Sequence, residues 1–452
     1  MTGRELKVGV VGTFDVENYG DLLFPLIARR ELADRLGNVE LIAFSYRAKA
    51  AADWPFAVTP VSELPRLAPS LDGLLIGGGF LARFDKHVAE GYLPPSAEIH
   101  HPTGFWLTPA LICLQHGVPL LWNAPGANYD DIPAWAAPLL ELTLAGSSYI
   151  ALRDERSRQA LEPFTGGNPI SVVPDTVFGL PRWLPERPTF EFNRLRDANG
   201  IGGPYILIQG VRGLEECYRF LELNADRLRG YRFLVVPIGP VNGDADTLSC
   251  AGVPGLVRLP VWPHPFLLAE LIRSAEAVIG PSFHLAITAL TSGVPVFSPA
   301  NLNLGKFSGL ADFDGIHPLP TAAGHDAEWF VSRLGRAARS PRIADAMAQV
   351  AAHWDRVAET LRAGRTDNAL AVGRFWQSLP GILEAQATTG AAAVASLASW
   401  TQTTSRIAEL KRLIALARKE ISARDSRIAQ LLQSTSWKIT APMRFVGRRL
   451  GR

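Results

Sequence analysis

The chain has 452 residues, 47% of them hydrophobic, with 45 Lys plus Arg against 43 Asp plus Glu and a formal charge of +2. That length allows two to four domains with sizeable cores, and the charge balance argues against a surface devoted to nucleic acid. Three widely spaced cysteines (Cys113, Cys217, Cys250) exclude a disulfide framework or a Cys-rich zinc site and suit a reducing compartment. The N-terminus carries no secretory pattern, and no segment reaches the roughly 20 apolar residues of a membrane helix, so a cytoplasmic protein is expected.

From Leu6 to about Phe178, short β-rich runs alternate with helical patterns, which predicts a parallel α/β sheet. Residues 6–14 (LKVGVVGTF) read as a central strand, apolar on both faces, and residues 21–36 as the helix that follows. Further strands are expected at 39–44, 73–76, 119–122 and 149–152, with helical patterns at 111–116 and 135–144. The proline-rich run 181–188 interrupts every pattern. Alternation restarts near Tyr205, with strands at 205–209, 232–237, 277–279 and 295–297 and helices at 265–273 and 285–292. These patterns predict two Rossmann-like domains facing a cleft, residues 1–180 and 201–385, joined by a crossover at 181–200. Ligands in such sheets sit beyond the carboxyl ends of the strands, so the loops after strands are where chemistry is sought.

The C-terminal stretch differs in kind. Residues 386–400, rich in Ala, Ser, Thr and Gly, read as a linker. Ile407, Ile414, Ile421 and Ile428 recur at every seventh position, with Leu410, Ala417 and Leu431 at companion positions. Over 401–433 that pattern predicts a short coiled coil, giving self-association or a partner coil through 407–431, or else one amphipathic helix folded on the body. Residues 434–452 form a basic tail.

Asn18, Gly20 and Asp21 stand where the first strand turns into a helix. They suit sugar or anion binding, or an ordinary helix cap. Gly77, Gly78 and Gly79 follow another strand and permit close approach by a ligand or a tight turn. They make no dinucleotide fingerprint, and no Gly-x-x-x-x-Gly-Lys run is present. Arg153 ends a strand and suits a carboxylate or phosphate, or a local pair with Asp154 or Glu155. Asp175, after Val-Val-Pro, orients a sugar or caps a turn. His284 opens a helix directly after a strand, where it can carry protons near neutral pH, or cap and pack. Lys306 is a second candidate cation. Asp244-Ala245-Asp246 and Asp312-Phe313-Asp314 have an Asp-x-Asp form found in metal-dependent sugar-nucleotide enzymes, but such triplets arise easily by chance. No metal site is expected, and no His-Glu-x-x-His helix supports zinc.

In this order Asn-Tyr-Gly-Asp, Gly-Gly-Gly, Leu-Arg-Asp-Glu-Arg-Ser, Val-Pro-Asp, Ser-Phe-His and Gly-Val-Pro resemble the polysaccharide pyruvyl transferases over roughly residues 6–310. The resemblance implies a GT-B-like fold and transfer of pyruvate from phosphoenolpyruvate to a saccharide or lipid-linked oligosaccharide as a cyclic ketal, with no cofactor. It implies that His284 serves the proton steps. The family's Arg-Leu-His signature stands here as Ser282-Phe283-His284, so Arg153 and Lys306 are the cations left to hold the donor. Residues 434–444 are similar to a segment that follows coiled coils in bacterial cell-surface glycosyltransferases. Such a basic tail suits peripheral contact with the inner face of an anionic membrane, or a solvated end. A glycosyltransferase using a nucleotide sugar and a catalytically silent scaffold are the alternative readings.

Overall fold

The computed structural model describes residues 4–84, 102–127, 132–133, 136–244, 253, 255–259, 262–299, 301–302, 305–335, 340–384 and scattered positions between 406 and 427. The chain divides into two compact units, Met1–Gln377 and Ser378–Arg452.

Among the described residues, the first unit contains two large parallel sheets and a two-stranded one. Strands β1 (Leu6–Val11), β2 (Val39–Ser45), β3 (Val58–Pro60), β4 (Gly73–Ile76) and β5 (Leu120–Trp122) lie in the order β3-β2-β1-β4-β5. Strands β6 (Ile150–Leu152) and β7 (Ile170–Val172) pair with each other and reach β5 through a Leu121–Tyr149 bridge. Strands β8 (Tyr205–Gln209), β9 (Arg232–Val236), β10 (Leu256–Arg258), β11 (Ala277–Ile279), β12 (Val296–Ser298) and β13 (Ile316–Pro318) form the second sheet, ordered β10-β9-β8-β11-β12-β13. The helices are α1 (Tyr19–Leu36), α2 (Leu64–Leu67), α3 (Leu107–Gln115), α4 (Ala137–Ala145), α5 (Glu155–Leu161), α6 (Phe190–Ala198), α7 (Glu215–Leu223), α8 (Pro265–Ser274), α9 (Phe283–Thr291), α10 (Ala327–Val331) and α11 (Pro341–Ala363).

Each sheet is a Rossmann-like layer. The strand order reverses between β1 and β4 in one and between β8 and β11 in the other. Central strands β4, β8 and β11 are buried along their whole length, which is why their sequences are apolar without alternation. Strand β1 stops at Val11 rather than at Phe14, because Gly12 bends the chain back onto the Phe14 ring.

Helix α1 lies between the first sheet and helices α8 and α9 of the second half. Its first ten residues, Tyr19 to Ala28, are buried except for Asp21, whereas its last turns expose one face. Tyr19 hydrogen-bonds Thr288 of α9 at 2.8 Å, and Arg30 lies 4.4 Å from the Phe266 ring centroid of α8. A helix caught between two layers has no polar face to present, so its first half shows no amphipathic stripe.

The crossover begins as a 3-10 helix, Thr176–Trp183, ahead of the expected break. It is fastened to α1 by buried Glu31, which accepts the Trp183 indole N–H at 2.6 Å and pairs with Arg182 and Arg35. After the second sheet, α11 packs back along α1 and this crossover. Asp355 meets Arg35 at 2.7 Å, and a Cβ on Gly179 would stand 3.1 Å from Val350.

In the second unit, residues 378–384 and the described positions between 406 and 427 are helical. Leu410, Ile414 and Ile421 are about half exposed there. Ile407, Ile428, Leu431, the linker 386–400 and the tail 434–452 lie outside the described residues. Among the described residues, no helix is long and apolar enough to cross a membrane.

Candidate functional site

The loops beyond β1 and β4 meet those beyond β8 and β11, so the two points of strand-order reversal face one another. This is where open α/β sheets form ligand crevices. The first loop is clamped to the loop that follows β9, since Tyr19 N–H donates to Ile238 O at 2.9 Å and Val241 N–H to Glu17 O at 3.3 Å. Its own shape is fixed by Asp15, whose carboxylate accepts from Ser45 Oγ at 2.6 Å and Arg47 N–H at 2.9 Å. Asn18 caps α1 by accepting from Gly20 N–H at 3.2 Å, and Asp21 accepts from Thr13 Oγ1 at 2.9 Å.

Gly20 is the contact point between the two halves. A Cβ there would stand 1.8 Å from His284 Nδ1, so the imidazole lies directly on the glycine backbone. The ring is further boxed by Phe24, edge-on at 5.5 Å, and Phe283 at 5.6 Å. The glycine triplet serves the same dense packing. Cβ atoms on Gly77 and Gly78 would strike Val11 O and Phe24, while Gly79 takes a φ of +80°.

Arg153, Asp175 and His284 converge. His284 Nε2 lies 3.4 Å from Asp175 Oδ2, and Arg153 Nη1 lies 4.0 Å from the same oxygen. The side chains are 13% (His284), 1% (Asp175) and 4% (Arg153) exposed. Asp175 also caps the crossover helix, its Oδ1 accepting from Val177 N–H at 3.1 Å. Burial pushes the Asp175 carboxyl up, but His284, Arg153 and the Val177 N–H together hold it below its ordinary value. Asp175 is therefore an anion in a dry place, and a proton on His284 Nε2 has a counter-charge beside it. Arg153 Nε approaches Asp154 at 3.5 Å, its guanidinium lies 5.1 Å from the Phe283 ring centroid, and its Nη2 has no hydrogen-bond partner among the described residues. A buried guanidinium N–H without a partner costs free energy that a bound anion would recover.

Ser282 caps α9. Its Oγ accepts from Leu285 N–H at 3.4 Å, and its own N–H donates to Gln209 Oε1 at 2.9 Å. Gln209 in turn donates to Asp244 Oδ2 at 3.0 Å, which also accepts the N–H groups of Ile238 (2.9 Å) and Gly239 (2.7 Å). Asp244 is thus an anchor for the loops after β8, β9 and β11. Asp246 lies outside the described residues, and Asp312 is exposed and pairs with Arg342. Lys306 falls on the 3-10 helix Gly305–Leu310, but its side chain lies outside the described part of the structure.

On the β2 flank, Trp54 stacks on Trp262 of the second half (6.3 Å, 27°), with Lys49 Nζ 4.5 Å from the Trp54 ring centroid. Sequence reasoning missed the turn after β5, Asn123-Ala124-Pro125-Gly126, which forms the seat of Arg153. The Pro-Gly pair at a strand end was its available signal. It also missed Gln209, which carries no pattern at all.

The sequence model of the family described as polysaccharide pyruvyl transferase matches residues 18–301. No curated protein matches the chain. Solved structures similar to it include the UDP-GlcNAc 2-epimerase of Methanocaldococcus jannaschii, at 13% identity, covering 73% of this chain and 91% of that one with a TM-score of 0.47. The UDP-GlcNAc 2-epimerase of Neisseria meningitidis bound to UDP-GlcNAc is similar at 12% identity, covering 79% and 99% of the two chains with a TM-score of 0.48. An α,α-trehalose-phosphate synthase from Burkholderia xenovorans gives 12% identity, 80% and 100% coverage and a TM-score of 0.43.

Proposed function

The chain belongs to the polysaccharide pyruvyl transferase family, and from that premise we propose that it transfers pyruvate from phosphoenolpyruvate to two hydroxyls of one saccharide, forming a cyclic ketal and releasing inorganic phosphate. The observation that carries this reading is the buried Arg153–Asp175–His284 cluster, set where the two sheets reverse their strand order.

The balance closes without an oxidant. The donor's methylene carbon gains a proton and becomes the methyl group, while the first sugar hydroxyl adds to the adjacent carbon. The second hydroxyl then replaces the phosphate on that carbon. Of the two hydroxyl protons, one restores the proton given to the methyl and the other leaves with phosphate. In this reading His284 gives the first proton and recovers one from a sugar hydroxyl, with the Asp175 carboxylate as the counter-charge beside its Nε2. Arg153 grips the donor's carboxylate or phosphate through its unpartnered Nη2. Lys306 is the second cation, and Asn18, Gly20, Asp21, Gly77, Gly78, Gly79 and Ser282 form the walls against which donor and acceptor lie.

The same reading gives the C-terminal segments their use. The basic tail 434–452 rests on the inner face of the cytoplasmic membrane, where a lipid-linked acceptor is presented, and 407–431 joins copies or a partner coil.

The test is product identity. Purified protein is supplied with phosphoenolpyruvate and a panel of lipid-linked saccharides, and in parallel with nucleotide sugars. Phosphate release with a mass gain of one pyruvate less water on the saccharide is expected. Nucleotide release with no phosphoenolpyruvate turnover would overturn the reading in favour of glycosyl transfer.

A further inference from the structure

Arg153 does not hold itself in place. Its N–H donates to Pro125 O at 3.2 Å, and a Cβ on Gly126 would stand 2.5 Å from its Nη2, so the guanidinium rests on the Gly126 backbone. Gly126 N–H donates to Gly79 O at 2.7 Å, which ties this turn to the glycine triplet. The turn itself is strained, since buried Ala124 has a φ of +50°, left-handed backbone that a side chain disfavours. Something outside the turn must impose that conformation.

The residue before Ala124 supplies the hold. Asn123 is fully buried, its N–H donates to Ile76 O at 2.9 Å, and its Oδ1 lies 3.0 Å from His353 Nε2. His353 projects from α11, and its Nδ1 lies 3.1 Å from the Tyr149 hydroxyl at the foot of β6. Burial pushes His353 down to about 3, with Arg35 adding to the effect, so the ring is neutral across the physiological range. A neutral imidazole has one N–H and one lone pair. With the Asn123 oxygen facing Nε2, the proton sits on Nε2, and Nδ1 accepts from Tyr149. The Asn123 Nδ2 atom is left buried with no partner among the described residues. An apolar side chain would avoid that cost, so the worth of Asn123 lies in the bond made by its oxygen.

We infer that Asn123 and His353 are positioning residues for Arg153: the closing helix α11 pins Asn123, which holds Ala124 left-handed and so fixes the Pro125–Gly126 seat on which the guanidinium lies. The proposal deepens the donor reading above and depends on it for the identity of what Arg153 grips, but not for the positioning itself.

Two measurements decide it. Calorimetric titration with phosphoenolpyruvate compares Asn123→Leu, Asn123→Ser, His353→Leu and His353→Gln, each alone and combined with Arg153→Ala. Misplacing a gripping group by about 1 Å costs up to about 100-fold, so Asn123→Leu and His353→Leu are expected to weaken donor binding about 10–100-fold. No further loss is expected once Arg153 is already Ala. His353→Gln is expected to bind within a few-fold of wild type, because its amide N–H replaces the one on Nε2. Asn123→Ser serves where the leucine variant does not fold. Equal losses with and without Arg153, or unchanged affinity in folded His353→Leu, would overturn the inference. The second measurement is a crystal structure of Asn123→Leu or Asn123→Ser. A relaxed Ala124 and a guanidinium displaced from Gly126 are expected, and an unmoved Arg153 would overturn the inference. If the wild-type protein does not bind phosphoenolpyruvate, the donor reading falls, and the crystal structure still decides the positioning.

Discussion

At the scale of single residues, Asp175 ties the proposed site together, because one carboxylate faces both His284, the proposed proton carrier, and Arg153, the proposed anion grip. The lowered pKa of Asp175 carries a sign for stability. A carboxyl that titrates lower when folded contributes stability above its unfolded value, near 3.8, and that contribution fades as the pH falls through the lower folded value. Denaturant midpoints recorded from neutral pH down to about pH 3 are expected to fall less steeply for Asp175→Asn than for wild type, and identical acid limbs would contradict the assignment. Gly20→Ala is a second test. The methyl group must displace the His284 ring, so turnover is expected to drop about 100-fold while far-ultraviolet circular dichroism is unchanged. Of this site, the individual groups were legible in the sequence because strand ends in α/β sheets mark ligand loops. What was not legible is their mutual use. Nothing in Val-Pro-Asp says that Asp175 would lie on His284, more than a hundred residues away, rather than orient a sugar. Ser282 read as a ligand candidate, yet the structure gives its hydroxyl to the end of α9.

At the scale of elements, strands buried along their whole length announced themselves by continuous apolar runs, and β4, β8 and β11 fall at the expected residues. Strands β3, β10 and β13 did not, since each is only partly buried and carries no continuous apolar run to register. Helix α1 starts two residues earlier than its apolar spacing implies, because Asn18 rather than Asp21 provides the cap. The proline-rich crossover read as a break. Its first part is a helix, Thr176–Trp183, held by contacts with α1 that local sequence cannot reveal. Glu31→Ala tests that fastening. It strips the half-buried Trp183 N–H of its charged acceptor, so a loss of about 1–3 kcal/mol is expected by denaturant titration, and an unchanged midpoint would mean that the crossover is held by packing alone.

At the scale of the whole molecule, the chain separates into two units, and the Arg153–Asp175–His284 cluster lies wholly within Met1–Gln377. Ending the chain after residue 400 is therefore expected to leave folding and soluble activity intact while reducing oligomer size or recovery with anionic vesicles, read by light scattering and sedimentation. Unfolding of the shortened protein would place the helical segment in the core instead. In the proposed reaction His284 moves protons while Arg153 grips phosphoenolpyruvate. The most direct test of these roles is steady-state phosphate release with donor titration, comparing wild type, His284→Ala and Arg153→Ala. General acid–base help is worth about 10²–10⁴-fold, so His284→Ala is expected to lose turnover by that factor at near-normal donor affinity, and Arg153→Ala to lose donor affinity first. Near-normal turnover in a folded His284→Ala protein would contradict the account.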